Sequence, residues 1–224
     1  MSWTKESALK KIREVGLIPI VRTPSAEDAL RAAEAILASG IGIAEITMTV
    51  PSALSVIERV AMKFGDQVLL GAGTIVDAPG CESAISAGAQ FIVTPALTQE
   101  VIETAIQRGK PCFPGALTPT EILAAWRAGA DMVKVFPCGP VGGAKYIRAI
   151  RGPFPDIPLV PTGGVNLENA ADLIRAGAAA IAVGGELVDL RALRSGNLNS
   201  ITSTAKKFLH AVRAGRAAAA PKAS

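Results

Sequence analysis

The chain has 224 residues, of which 50% are hydrophobic and 19% charged, and its formal net charge is +4. This length allows one large domain, and the composition is too apolar for a disordered protein. Basic residues do not interleave with aromatic ones and no apolar run reaches transmembrane length, so neither nucleic acid nor a membrane is expected as a partner.

The first 16 residues are charged and amphipathic and lack a signal-peptide core, which predicts an N-terminal helix and a cytoplasmic protein. The three cysteines, Cys81, Cys112 and Cys138, are widely spaced, and the only histidine is His210. This pattern argues against a disulfide framework, a metal site and a Ser-His-Asp triad. His210 falls in a late amphipathic segment, where a surface or packing role is expected.

A short pattern recurs along the chain, in which a helix ends at a small residue and a glycine, and a short apolar run follows. Such a glycine suits the left-handed residue that ends a helix. Short apolar runs with little alternation are typical of strands buried on both faces. The repeats therefore indicate successive βα units. Eight strands are predicted, at residues 16–22, 43–48, 67–71, 90–94, 111–114, 131–136, 158–162 and 180–184.

Helices are predicted between these strands, and several have recognisable N-terminal signals. The signals are TPSAED at 23–28, TVPSAL at 49–54, LTPTEI at 117–122 and GVNLEN at 164–169. Eight parallel strands, each followed by a helix, predict an α/β protein with a TIM (β/α)8 barrel. A doubly wound open sheet is the alternative, but the loop after the first strand lacks that fold's glycine-rich sequence.

A single barrel domain with an N-terminal helix is predicted over residues 1–216, because no linker or change of composition interrupts it. Residues 217–224 are predicted to form a disordered tail. Pro19 and Pro161 fall inside predicted strands. Because proline is disfavoured in central strands, they argue against those two assignments.

Lys134 stands in the middle of an otherwise apolar strand in the stretch ADMVKVFPCGP at 130–140. Alternation places Phe136 on the same side of this strand, and it places Glu45 on the side of the second strand that could face Lys134. Burial lowers the pKa of an amine, and a neighbouring carboxylate raises it. A neutral amine forms Schiff bases with ketones. A purely structural ion pair is the alternative that these residues leave open.

Two glycine pairs, Gly163–Gly164 and Gly184–Gly185, follow the last two predicted strands. In barrels of this kind, the chemistry lies at the carboxyl ends of the strands, and phosphate commonly binds after the last two. The pairs therefore favour an anion site, although tight βα turns alone would also account for them.

In combination these residues resemble the aldolases that cleave 2-keto-3-deoxy-6-phosphogluconate (KDPG) and 4-hydroxy-2-oxoglutarate (KHG). The resemblance implies a homotrimeric TIM barrel and a class I aldolase that acts on a small molecule without a metal or organic cofactor. It runs from about residue 6 to 212 and rests on EIT at 45–47, GAGT at 71–74, TPALT at 94–98, FPGALTPTE at 113–121, KVFP at 134–137, GPFPDIPLVPTGGVN at 152–166 and AVGGELV at 182–188.

The resemblance also implies a role for each matching residue. Lys134 corresponds to the Schiff-base lysine and Glu45 to the general acid/base that acts through water. Thr74 corresponds to a threonine that helps to bind the pyruvate carboxylate, while Pro95 and Phe136 would wall the pyruvyl pocket. The phosphate-binding loops correspond to Gly163, Gly164, Gly184 and Gly185.

The chain departs from the common family pattern at two positions. Thr49 stands where many members have an arginine that grips the substrate carboxylate, among the residues that surround the pyruvyl end. A subset of the family has threonine there and an arginine at the end of the first strand, as this chain has Arg22. Arg22 is therefore expected to make the carboxylate contact.

Glu186 is the second departure, because many phosphate-binding relatives have serine at this position. A carboxylate directed at a phosphate would repel it. Either Glu186 turns away, or the substrate lacks the phosphate. The expected substrate is 2-keto-3-deoxy-6-phosphogluconate, with its galactonate epimer and 4-hydroxy-2-oxoglutarate as alternatives. A non-catalytic barrel that binds a phosphorylated sugar acid and a phosphate-binding isomerase or synthase are the alternatives from other classes.

Overall fold

Ten α-helices and nine β-strands follow one another through residues 3–219, which are the residues that the computed structural model describes. The helices are α1 Lys5–Val15, α2 Ala26–Leu37, α3 Ala53–Phe64, α4 Ala78–Ser86, α5 Gln99–Gln107, α6 Pro119–Arg127, α7 Ala144–Arg151, α8 Ala170–Arg175, α9 Leu190–Arg194 and α10 Leu198–Ala219. The strands are β1 Leu17–Val21, β2 Ile43–Thr47, β3 Leu69–Gly73, β4 Phe91–Val93, β5 Cys112–Phe113, β6 Gly115–Ala116, β7 Val133–Val135, β8 Leu159–Pro161 and β9 Ile181–Val183.

All strand pairs are parallel. One sheet has six strands in the order β5-β4-β3-β2-β1-β9, and a second has three in the order β6-β7-β8. A single bridge between Thr162 and Ala182 joins the chain after β8 to β9, and only Pro114 separates β5 from β6. In this α/β arrangement no strand order reverses, so the doubly wound alternative is wrong.

Every strand residue is buried, as expected for parallel strands covered on both faces. The side chains in these strands are apolar or glycine at nearly every position, and the exceptions with a charge or hydroxyl are Glu45, Thr47 and Lys134. A buried polar group is costly unless it is paired. These three buried polar residues are therefore the strand positions at which a functional role is most expected.

Most strands are one to three residues shorter than predicted, and two strands depart further from the prediction. β3 lies two residues later than predicted, because residues 65–67 form a short 3-10 turn and the N–H of Val68 donates to the carbonyl of Gly65 at 3.4 Å. The predicted fifth strand is divided at Pro114, which has no N–H to donate to a ladder. By contrast, Pro19 and Pro161 do lie in strands, with Val183 and Val135 as their register partners.

Helix starts agree with the predicted signals except at α8. Ser25 accepts from the N–H of Asp28 at the start of α2, and Thr118 forms a capping box with Glu121 at the start of α6. The signal at 164–169 does not begin a helix directly, because the side chain of Asn166 accepts the N–H of Asn169 and holds a turn there. Helix α8 consequently begins at Ala170.

The N-terminal segment covers the end of the sheet opposite the loops that follow the strands. Trp3 Nε1 donates to the carbonyl of Val68, just before β3, at 3.1 Å. Lys5 pairs at 2.9 Å with Asp131, just before β7. Arg216 of α10 donates to the carbonyls of the last turn of α1. These contacts leave the carboxyl ends of the strands as the open end.

Helix α10 runs to Ala219, three residues into the segment predicted to be a disordered tail; residues 220–224 lie outside the described part. Within residues 3–219, no helix has both the length and the apolar character needed to cross a membrane.

Candidate active site

Lys134 lies at the centre of β7 and is 4% exposed. Its register partners are Gly115 and Val160, and its Nζ lies 5.1 Å from the centroid of the Phe136 ring. Burial lowers the pKa of Lys134, the Glu45 carboxylate opposes this effect, and the Arg22 guanidinium adds to it. Burial is the largest of the three effects, so the net shift of the Lys134 pKa is toward the neutral amine.

Glu45 lies on β2 and is 1% exposed. Burial raises the pKa of its carboxyl group, and the charges of Lys134 and Arg22 lower it less strongly. Within the described residues, no ion pair with an N–O distance of 4.0 Å or less joins Glu45 to Lys134. The two groups therefore act on each other electrostatically and not through a direct ion pair, and both are of a type that can take part in proton transfer.

Gly73, at the end of β3, makes room for the Glu45 carboxylate. A Cβ added to Gly73 would overlap Oε1 of Glu45. The backbone at Gly73 cannot shift to relieve this overlap, because Gly73 is the register partner of Thr47 in the β2–β3 ladder. A glycine is therefore needed at this place for Glu45 to keep its orientation.

Because the methyl group displaces Glu45, Gly73→Ala should lower the aldol turnover that the family resemblance implies about a hundredfold, the scale of losing a positioned acid/base. Turnover and thermal unfolding are to be measured together. The control is Gly71→Ala, whose methyl would overlap the Phe91 ring instead. That variant should lose stability but retain activity per folded molecule. Unchanged turnover in Gly73→Ala would mean that the orientation of Glu45 is unimportant.

A cavity of about 210 Å³ opens at the carboxyl ends of β1, β7, β8 and β9. It brings together Lys134, Phe136, Arg22 and both glycine pairs. Arg22 is exposed and makes no ion pair within the described residues, so its charge is available to a ligand. The full lining is Ile20, Arg22, Lys134, Phe136, Thr162, Gly163, Gly164, Val165, Ala182, Gly184, Gly185 and Glu186.

The glycine pairs offer unpaired backbone donors at this cavity. Among the described residues, the N–H groups of Gly164, Val165, Gly185 and Glu186 donate to no backbone acceptor. Gly164 has a φ of 77°, and a Cβ added there would meet the Cα of Gly139 at 2.9 Å, so glycine is required at that position. Converging N–H groups of this kind suit an anion.

Glu186 lies at the same cavity and is exposed. A place in the cavity lining does not fix the direction of the carboxylate, so a side chain that turns away and a substrate without a phosphate both stay predictions. The Arg22 guanidinium lines this cavity as well, so the site carries both a cationic and an anionic side chain.

Four of the predicted site residues do not line the cavity. Glu45 is linked to it through its electrostatic effect on Lys134. Thr74 directly follows Gly73 and has a φ of 60°, which is rare for a β-branched residue and typical of strained functional positions. The carbonyl of Pro95 would meet a Cβ added to Gly115, the register partner of Lys134. Thr49 is exposed, and its hydroxyl bonds to that of Thr47 at 2.8 Å.

Three buried threonines at strand ends were not predicted as site residues. Thr162 lines the cavity, Thr94 accepts the N–H of Gly115 at 3.1 Å, and Thr47 donates to the carbonyl of Val21 at 3.2 Å. A signal was present in the sequence, because each threonine ends an apolar strand where a hydroxyl needs a partner.

Within residues 3–219, no cluster of three or more His, Cys, Asp or Glu side chains could hold a metal ion. The three cysteines are buried and unpaired. Burial raises the pKa of the Cys138 thiol to about 11, so this thiol is not a nucleophile near neutral pH. His210 is exposed on α10.

Known proteins are similar to this chain in fold and in sequence. A curated KDPG aldolase of Pseudomonas aeruginosa is 37% identical over 72% of this chain and 73% of its own length. The enzyme of the same name from Haemophilus influenzae is 30% identical over 95% of this chain and 100% of its own. The crystal structure of a Legionella pneumophila KDPG aldolase, with pyruvate captured as a covalent carbinolamine, superposes with a TM-score of 0.82. That protein is 30% identical and covers 90% of this chain and 97% of its own.

The family model described as "Aldolase: KDPG and KHG aldolase" matches residues 8–204. This match spans the strands from β1 to β9 and every residue assigned to the candidate site. The chain belongs to the KDPG and KHG aldolase family.

Proposed function

We propose that this protein is a class I aldolase that cleaves 2-keto-3-deoxy-6-phosphogluconate to pyruvate and glyceraldehyde 3-phosphate. The observation that carries the proposal is the position of Lys134, which is buried, has a lowered pKa and lines a cavity shared with Arg22 and two glycine pairs. A buried lysine without a direct ion pair is a poor device for stability, but it is a suitable nucleophile for a ketone.

The first half of the reaction builds an electron sink. Neutral Lys134 attacks the C2 ketone of the substrate, while the Arg22 guanidinium and the Thr74 hydroxyl hold the adjacent carboxylate and fix the angle of attack. The resulting carbinolamine loses water to give an iminium. Glu45, whose pKa is raised by burial, supplies and accepts the protons of this step through water.

The second half breaks the C3–C4 bond. Its electron pair moves into the iminium and forms an enamine, and the proton of the C4 hydroxyl passes to Glu45. The aldehyde then leaves. Protonation of the enamine at C3 and hydrolysis of the iminium release pyruvate and regenerate neutral Lys134. Pro95 and Phe136 wall the pyruvyl group, and the glycine pairs bind the phosphate. Thr49, whose hydroxyl is engaged by Thr47, stands near the carboxylate end.

We also propose that the strands form a closed eight-stranded TIM barrel. Counting β5 and β6 as one strand leaves eight, and the Thr162–Ala182 bridge lies where β8 must meet β9 to close it. The family resemblance adds a homotrimer, and light scattering of the purified protein tests it. A cytoplasmic location is added by the charged, amphipathic N-terminal segment, which lacks a signal-peptide core.

Borohydride trapping with pyruvate tests the Schiff base directly. Reduction should add the mass of a pyruvyl group to the peptide that contains Lys134. Pyruvate release should then be measured with phosphorylated and unphosphorylated 2-keto-3-deoxy acids of both epimeric series. An adduct without pyruvate release from any of these acids would contradict the aldolase assignment. No adduct at all would instead favour a phosphosugar-binding barrel.

Gly185→Ala should raise the KM for the phosphorylated acid about tenfold or more, the scale of weakening one or two hydrogen bonds to a charged group. The reason is local, because an added Cβ at Gly185 meets no atom within 4 Å and alters only the space beside the cavity. The KM for 4-hydroxy-2-oxoglutarate, which has no phosphate, is the internal control and should not change. An equal rise with both substrates would remove the phosphate role of this loop.

The position of Glu186 at the cavity favours 4-hydroxy-2-oxoglutarate as a second candidate substrate. If backbone donors alone bind a phosphate, Glu186→Ser should alter the KM for the phosphorylated acid only slightly, and free phosphate should compete with it. If Glu186 excludes phosphate, the same variant should sharply improve use of the phosphorylated acid. A parent protein that prefers the unphosphorylated acid, together with that improvement, would overturn the phosphorylated substrate but not the role of Lys134.

A further inference from the structure

Arg22 stands on backbone that two buried hydroxyls hold in place. Thr47 is fully buried and donates to the carbonyl of Val21, the residue before Arg22, at 3.2 Å. Thr23, the residue after it, is 4% exposed and donates to the carbonyl of Ser25 at 2.8 Å. The side chain between these anchors is exposed and reaches the cavity. The Arg22 side chain, unpaired among the described residues, therefore projects into the cavity from a backbone segment that is held in place.

The β1–β2 register makes Thr47 the neighbour of Arg22. Ile20 pairs with Glu45 and Val21 with Ile46, so the next position along each strand places Arg22 beside Thr47. The ladder itself ends at Val21, and the chain turns toward α2 directly afterwards. The Thr47 hydroxyl thus extends the hold of β2 on β1 to the residue from which Arg22 departs.

The direction of the hydrogen bonds assigns a role to Thr49 as well. A threonine hydroxyl has one proton, and Thr47 gives its proton to the carbonyl of Val21. In the 2.8 Å contact between the Thr47 and Thr49 hydroxyls, Thr49 must therefore be the donor. The chain of donors runs from Thr49 through Thr47 to Val21, and each bond polarises the next.

We propose that Thr47, supported by Thr49, is a positioning residue that orients Arg22 for the carboxylate of the substrate. This inference rests on the proposed function, in which Arg22 grips that carboxylate. An arginine side chain loses much rotational freedom when it binds, so fixing the backbone beneath it lowers the cost of forming the contact. In this chain, Thr49 thereby supports the arginine that directly follows β1.

A double-mutant cycle with the conservative variant tests the proposal. Thr47→Val keeps the shape and removes the hydroxyl, and Thr47→Ser keeps the hydroxyl. We expect Thr47→Val to raise the KM for the keto acid about three- to tenfold, the scale of one neutral hydrogen bond, with a smaller change in kcat. Thr47→Ser should stay within about twofold of the parent. In an Arg22→Ala background, Thr47→Val should cause no further rise.

The outcomes separate this inference from the proposed function. An equal KM rise in both backgrounds, or failure of Thr47→Ser to restore the parental KM, would overturn it, since Thr47 would then act through something other than Arg22. A parental KM in Arg22→Ala would overturn it too, while a borohydride-trapped pyruvate adduct in that variant would leave the aldolase assignment standing. If Thr47→Val does not fold, the exposed Thr49→Ala variant replaces it, with an expected KM rise of about twofold that also vanishes in Arg22→Ala.

Discussion

Lys134→Arg abolishes the pyruvate adduct and aldol cleavage while the protein stays folded; this is the largest expected effect. A guanidinium carries a permanent positive charge at the centre of β7 and is too basic to become a neutral nucleophile. The Lys134 amine, by contrast, is less basic than an ordinary lysine, because burial lowers its pKa. Mass spectrometry after borohydride reduction and circular dichroism of the same sample measure the two parts of the prediction.

Two variants complete this experiment. Lys134→Met retains an unbranched side chain in the buried site and should be equally inactive, which separates loss of the amine from crowding by the guanidinium. Lys110→Arg is the matched control, because burial also lowers the pKa of Lys110 but its Nζ bonds to Gln90 away from the cavity. It should keep parental activity. Turnover by folded Lys134→Arg would eliminate the Schiff-base mechanism.

Glu45→Gln should lower turnover about a hundredfold or more while the pyruvate adduct still forms, because the amide keeps the shape of the side chain and loses the proton relay. Exchange of the methyl protons of pyruvate with deuterated water reports this relay without a full substrate. Exchange at the parental rate in Glu45→Gln would reduce Glu45 to a structural role. If a folded Glu45→Gln protein forms no adduct, Glu45 is instead needed at or before the step that forms the iminium.

The pH profile gives the same pair of residues a second readout. The proposed mechanism requires neutral Lys134, so activity should fall as the pH drops through the pKa of that amine. The Glu45 carboxylate raises this pKa and the Arg22 guanidinium lowers it. The acid limb of the residual activity should therefore move to lower pH in Glu45→Gln and to higher pH in Arg22→Ala. Shifts in the same direction would contradict the electrostatic account of the site.

Local patterns predicted much of this arrangement because they depend on few residues. The period-2 alternation of a strand is enough to place Lys134 and Phe136 on one side of β7, and both line the cavity. Helix-ending glycines were equally readable, since Gly88 and Gly129 have φ values of 117° and 99°. The family resemblance supplied the site roles, which remain proposals until the variants are measured.

Features that depend on contacts between distant segments were not predictable. The overlap that prevents a side chain at Gly73 involves Glu45 on another strand, and the hydrogen bond that anchors Arg22 comes from Thr47. Neither leaves a pattern within one segment of the sequence. The hydrogen bond from Trp3 to the carbonyl of Val68 is another such contact, and it links the residue before β3 to the N-terminal segment. Register and side-chain packing decide such details, and composition does not.

The meeting of the two chain ends has a consequence for synthesis on the ribosome. β1 pairs with β9, so the ladder between Leu17 and Ile181 can form only after Ile181 has been synthesised. The hydrogen bonds from Arg216 to the last turn of α1 form later still. Although β2 can pair with one edge of β1 early, the other edge of this apolar strand stays unpaired in a nascent chain until β9 has emerged. Such an edge can recruit the wrong strand. We expect the growing chain to depend on chaperones until its last helix leaves the exit tunnel.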